Sequence, residues 1–145
     1  VLAPPDGKSY SRWQDAAADV EAACSAAPHQ SVGGPCGTVS DPDGNQITSV
    51  QYKLRRIHWT GANCWNDTRF AACGGDGWRT ALTDKTLPAT GPVAWEVPDS
   101  SAIASIFGPS LFDWVSTGDF VLQIRVVDNG SPAAATERTF TFSIS

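Results

Sequence analysis

Residues 47–57 read ITSVQYKLRRI, and their spacing decides the architecture. Val50, Tyr52 and Leu54 alternate with Ser49, Gln51, Lys53 and Arg55, a period of two that sends apolar groups to one face of a strand. A half-buried strand is predicted, and the device recurs. In FVLQIRVVD (120–128), Phe120, Leu122, Ile124 and Val126 face inward while Gln123 and Arg125 face water. In RTFTFSIS (138–145), Phe140, Phe142 and Ile144 oppose Thr139, Thr141 and Ser143. CGTVS (36–40) and VAWEV (93–97) are weaker strands, the second with Val93, Trp95 and Val97 on one face. Turn signals in DPDGN (41–45) and DNGSPAAA (128–135) separate the strands, and no βαβ alternation occurs. The pattern predicts an all-β fold, an antiparallel sandwich.

Three stretches exceed a minimal sandwich. SRWQDAAADVEAACSA, from Ser11 to Ala26, combines good helix formers with a serine cap and predicts a short helix. HWTGANCWNDTRFAACGGDGW, from His58 to Trp78, is an aromatic, glycine-rich loop. SSAIASIFGPSLFDW, from Ser100 to Trp114, places Ile103, Ile106 and Phe107 as a helix ending at Gly108 would. The expected organisation is one domain over residues 1–145 with insertions at about 11–35, 57–80 and 99–117. Up-and-down connectivity brings the DPDGN and DNGSP turns together at a sparse acidic pole. The insertions then gather at a bulky, tryptophan-bearing pole.

A chain of 145 residues can bury a sizeable core, and 41% hydrophobic against 17% charged residues excludes a disordered composition. The net charge is -5 and the ten basic residues are scattered, so no basic stripe exists to follow a phosphate backbone, and nucleic acid is not an expected partner. No stretch approaches the roughly 18 to 20 apolar residues that span a bilayer, so a membrane-spanning chain is not expected. The sequence opens at Val1 without a charged-then-apolar leader, and is read as a mature or excised fragment. Cys24, Cys36, Cys64 and Cys73 form no CxxC pair, which predicts two disulfides in a secreted or cell-surface location, not a zinc or redox site. Three connectivities are open. Loop closure favours near neighbours, Cys24 with Cys36 and Cys64 with Cys73.

GTVSDPDGNQITSVQYKLRR, CWNDTRF and DFVLQIRVVDNGSP together resemble the bacterial immunoglobulin-like or cadherin-like repeat of large, adhesin-type surface and secreted proteins. In that repeat a GTxSDxDG turn precedes a strand like SVxYxLRR, a YWNG-like hairpin follows, and a segment like GxYTLRVRATDNAGN closes the unit. APPDGKSY (3–10) looks like its opening strand and turn. The chain departs from the pattern at Cys64, where an aromatic is usual, at Phe120, where a tyrosine is common, and in the Ser11–Pro35 insert. The resemblance implies an immunoglobulin-like or fibronectin-III-like sandwich that serves as a spacer or adhesive module beside tandem or neighbouring domains.

Two residue sets carry chemistry. Asp41, Asp43 and Asn45, with Asp128 and Asn129, offer hard oxygen ligands of the kind Ca²⁺ takes, although no twelve-residue EF loop is present. Cadherin-like domains carry such turns at calcium-stiffened junctions. The competing reading is that these side chains shape their turns by bonding local backbone. Trp59, Trp65, Phe70 and Trp78, joined by Trp13, either stack on sugars and anchor partners or form a small core under the insertion.

Catalysis is not expected. GxSxG, HExxH and GxxxxGK motifs are missing, and the two histidines, His29 and His58, could reach a serine and Asp15 or Asp76 only by accident. An isopeptide bond from Lys8 or Lys53 to Asn129 is unmarked by any local pattern, and solvent-exposed lysines are the preferred reading. The sequence therefore reads as a noncatalytic extracellular module presenting loops to a protein receptor or a glycan. The alternatives are a carbohydrate-binding accessory domain of a secreted hydrolase and a calcium-stiffened spacer.

Overall fold

The apolar rows of ITSVQYKLRRI and FVLQIRVVD lie side by side in a computed structural model that describes residues 2–24, 34–57, 64–67, 69–74, 77–99, 106 and 118–144. In chain order the elements are β1 (Lys8–Tyr10), α1 (Trp13–Cys24), β2 (Cys36–Val39), β3 (Ile47–Ile57), β4 (Cys64–Trp65) and β5 (Phe70–Ala71). Then come β6 (Arg79–Thr80), β7 (Leu82–Thr83), β8 (Val93–Glu96), β9 (Gly118–Asp128) and β10 (Ala135–Ile144). The large sheet runs β1-β10-β9-β3-β4-β5, with β6 also on β3, and the small sheet runs β2-β8-β7. All pairs are antiparallel except β1 with β10, and the two sheets form a sandwich-like arrangement.

Register aligns the inward rows. Val50 faces Val126, Tyr52 faces Ile124, Leu54 faces Leu122, and Phe120 in turn faces Phe142 on β10, their rings stacked with centroids 4.9 Å apart. Against these the small sheet packs Val93, Trp95 and Val97. Trp95 fits because its cross-strand neighbour is Gly37, where a Cβ would stand 2.6 Å from the indole. The alternation in 93–97 is not one-sided as the sequence suggested: Ala94 and Glu96 are buried too. Arg56 extends the inward row of β3 and is only 3% exposed.

The predicted helix is α1. Ala16, Val20 and Cys24 recur every four residues on one face and are buried, which is the stripe a helix needs to dock. It packs on β1 of one sheet and β2 of the other. The Tyr10 hydroxyl donates to Asp19 Oδ2 at 2.7 Å, and the Cys24–Cys36 disulfide fixes the last turn to the start of β2. The second disulfide is Cys64–Cys73, the near-neighbour pairing. Of the Ser100–Trp114 segment only Ile106 is described. It is buried, and its N–H donates to Asp99 Oδ2 at 2.9 Å. Among the described residues no helix is long and apolar enough to cross a membrane.

Strand direction brings two turns together at one pole. The DPDGN and DNGSP turns meet: Asn129 N–H donates to the Gln46 carbonyl, and Gln46 N–H donates to Asn129 Oδ1. Both disulfides lie toward the other end, where Cys64 pairs with Arg55 near the finish of β3.

Candidate functional site on the outer face of the large sheet

The outward positions of β3 and β9 lay polar side chains in matched rows. Gln51 pairs with Arg125, Lys53 with Gln123 and Arg55 with Val121. The Arg125 guanidinium donates to Gln51 Oε1 from Nε at 3.0 Å and from Nη2 at 2.7 Å, so a planar fork is held flat on the sheet. Beside it, Gly77 N–H donates to the Gly74 carbonyl at 3.0 Å. Gly77 has φ +76°, and a Cβ there would meet the Lys53 side chain at 3.2 Å, so glycine serves both the conformation and the close approach. The next residue, Trp78, lies across the sheet before β6 joins the edge of β3. Lys53 Nζ stands 4.7 Å and the Arg125 guanidinium carbon 4.4 Å from the ring centroid, both within cation–π range. Trp78 is half-buried.

The other predicted rings go elsewhere. In the β4–β5 hairpin Trp65 is 2% exposed, donates from Nε1 to the Pro98 carbonyl at 2.6 Å and meets Phe70 edge-on at 5.1 Å. Phe70, half-buried, covers the Arg56 guanidinium at 4.1 Å and reaches Phe120. Burial lowers the pKa of that guanidinium. Trp13 packs partly buried against the core, and Trp59 lies outside the described residues. The expected aromatic cluster therefore divides, because Trp65 and Phe70 complete the core under the hairpin. Of the predicted rings that are described, Trp78 is the one on the outer face.

A polar network locks the hairpin to its neighbours. The buried Tyr52 hydroxyl donates to Asp67 Oδ1, and Arg79 Nη2 donates to Asp67 Oδ2 at 3.1 Å. Burial, then the bond to Asp67, raises the Tyr52 pKa well above its ordinary value of 10. Asp67 takes φ +79°, a left-handed conformation tolerated by short polar residues.

At the acidic pole the carboxylates serve their turns. Asp41 Oδ1 accepts from Asp43 N–H at 2.7 Å, and Asp128 Oδ1 accepts from Gly130 and Ala134 N–H, each at 2.9 Å. The Ala134 and Gly130 bonds, and then Asp41, hold the Asp128 carboxyl below its usual range. Asp43 is exposed, and Asn45 is half-buried beside Gly130. Among the described residues no three His, Cys, Asp or Glu side chains gather so as to hold a metal ion. Asn129 Nδ2 donates to Gln46 Oε1 while Lys53 lies on Trp78, so that amide and that lysine are engaged separately. His29, His58 and Asp76 lie outside the described residues. Between β2 and β10 near this pole the sheets diverge around a cleft of about 570 Å³, lined by Trp95, Ile124, Val126 and Phe140. Thr136 and Arg138, which alternation directs inward, are exposed there.

Gln51, Lys53 and Arg125 were legible only as outward residues. Their gathering around Trp78 depends on a pairing across 74 residues that no local pattern encodes. No family model matches the chain, and searches of curated proteins and of solved structures return no significant match.

Proposed function

We propose that the chain is a noncatalytic extracellular recognition module of immunoglobulin-like fold that binds a glycan on the outer face of its large sheet. The fold reading draws on strand order. The opening segment bridges to β2 through Ala3 and Cys36 and then, as β1, runs parallel to β10. One sheet thus reads opening segment, β2, β8, β7 and the other β10, β9, β3, the division of an immunoglobulin sandwich. Two disulfides are compatible with an oxidising, extracellular location.

The observation that carries the functional reading is Trp78 laid across Lys53 and Arg125 on a flat field of glutamine, arginine and threonine. One ring supplies a stacking surface and the amides, guanidinium and hydroxyls supply directional bonds, the combination a sugar requires. A protein partner would favour several apolar anchors at the centre of the patch.

The test is retention on a polysaccharide panel by affinity electrophoresis, comparing the wild type with Trp78→Ala. The expected result is binding that falls about tenfold in the variant, the loss of roughly 1.4 kcal/mol of stacking, with melting little changed because the ring lies outside the core. Retention of no polysaccharide, equal binding by the variant, or turnover of glycoside, ester or peptide substrates would overturn the proposal.

A further inference from the structure

We infer that the glycan held on this face is acidic, a polysaccharide whose sugar units carry carboxylates; the inference rests on the glycan reading above. The chain has fifteen acidic and ten basic residues. Arg12 pairs with Asp15 and Arg79 with Asp67. Lys53, Arg55 and Arg125 share one face and have no ion-pair partner among the described residues. Glu137 stands directly across from Arg125 on β10 and forms no ion pair with it, while Asp119 lies at the far end of the face, across from Ile57.

The donors left over are specific. Arg125 commits Nε and Nη2 to Gln51, which leaves Nη1 unbonded among the described residues. Among the described residues Lys53 Nζ contacts the Trp78 ring and has no hydrogen-bond acceptor. Arg55 Nε is a buried atom with no hydrogen-bond partner. Two like charges within 5 Å of one ring repel each other, and no carboxylate among the described residues pairs with either. A uronate unit stacked on that ring supplies what the face lacks: a planar carboxylate for the guanidinium fork and for the ammonium. Specificity then comes from charge, and the tryptophan contributes affinity for sugar rings generally.

The experiment measures binding to three uronate polymers, polygalacturonate, alginate and hyaluronan, each beside its carboxyl-reduced form, with polyglutamate as a polyanion that has no sugar ring. At least one uronate polymer should bind about tenfold more tightly than its reduced form, and the preference should shrink from about 0.05 to about 0.5 M salt as the screening length contracts. Lys53→Gln/Arg125→Gln should lose the preference for the native polymer over its reduced form. Lys53→Gln alone, which leaves the Gln51 bonds in place, should lose part of it. Equal, Trp78-dependent binding to native and reduced polymers would overturn the acidic ligand and leave the glycan site standing. Polyglutamate competing as well as the uronates would overturn the sugar, and binding to none of these polymers would overturn the inference outright.

Discussion

The chain has two tyrosines, Tyr10 and Tyr52, and both give their hydroxyl hydrogen to a carboxylate, Asp19 and Asp67 respectively. Burial, and then the bond to the neighbouring aspartate, raises each pKa well above the ordinary value of 10. The sign of the linkage follows. A folded-state pKa above the unfolded one means that the stabilisation is complete below about pH 10 and drains away as pH climbs from there toward the folded value. Each tyrosine that ionises only in the unfolded chain removes about 1.36 kcal/mol per pH unit, so the pair removes about 2.7. By about pH 12 the accumulated loss is about 5 kcal/mol, comparable with the whole stability of many domains. All four cysteines are bridged, so no free thiol starts disulfide exchange in base. Denaturant melts at successive pH values give the slope, and Tyr52→Phe should remove half of the tyrosine contribution. Tyrosinate absorbance should rise only with unfolding. A tyrosine titrating near pH 10 in the folded protein, or a slope unchanged in Tyr52→Phe, would refute the reasoning.

Two structural perturbations test the packing. Replacing Cys24 and Cys36 together by alanine opens a loop with a sequence separation of 12. The chain-entropy relation gives about 2.8 kcal/mol for such a loop, a fall in melting temperature of roughly 9 °C for a chain of this length. Calorimetry showing a loss under about 1 kcal/mol would mean that the bridge does not hold α1 to the small sheet. Gly37→Ala drives a methyl to 2.6 Å from the buried Trp95 ring and should cost about 1–3 kcal/mol. Gly74→Ala meets nothing within 4 Å and is the neutral comparison; equal melting of the two variants would contradict the close contact.

Period two located β3, β9 and β10 because each runs for ten or more residues, enough repeats to declare a phase. The same phase carries Arg56 inward after Leu54, where its chemistry alone would place it outside; the register of a long strand prevails over one charged residue. Strands β4 to β7 have two residues each and no period to read. Trp65 and Trp78 look alike in sequence, and their different fates come from distant neighbours: Pro98 behind the hairpin for one, Arg125 across the sheet for the other. Disulfide pairing and the meeting of the acidic turns were foreseeable, since short loop closure and strand direction are local or topological constraints. The carboxylates at that pole were legible as turn residues and as ligands alike, because their backbone partners are set by the fold and not by the local sequence.

The opening strand runs parallel to the closing one, with Lys8, Ser9 and Tyr10 abreast of Phe142, Ser143 and Ile144. Neighbouring strands that point the same way slide past each other when a chain is drawn out by its two extremities. Tension then falls on all the rungs between them at once, whereas an antiparallel pair tugged from one side would part rung by rung. Pulled from both ends, the chain would therefore load this seam in shear.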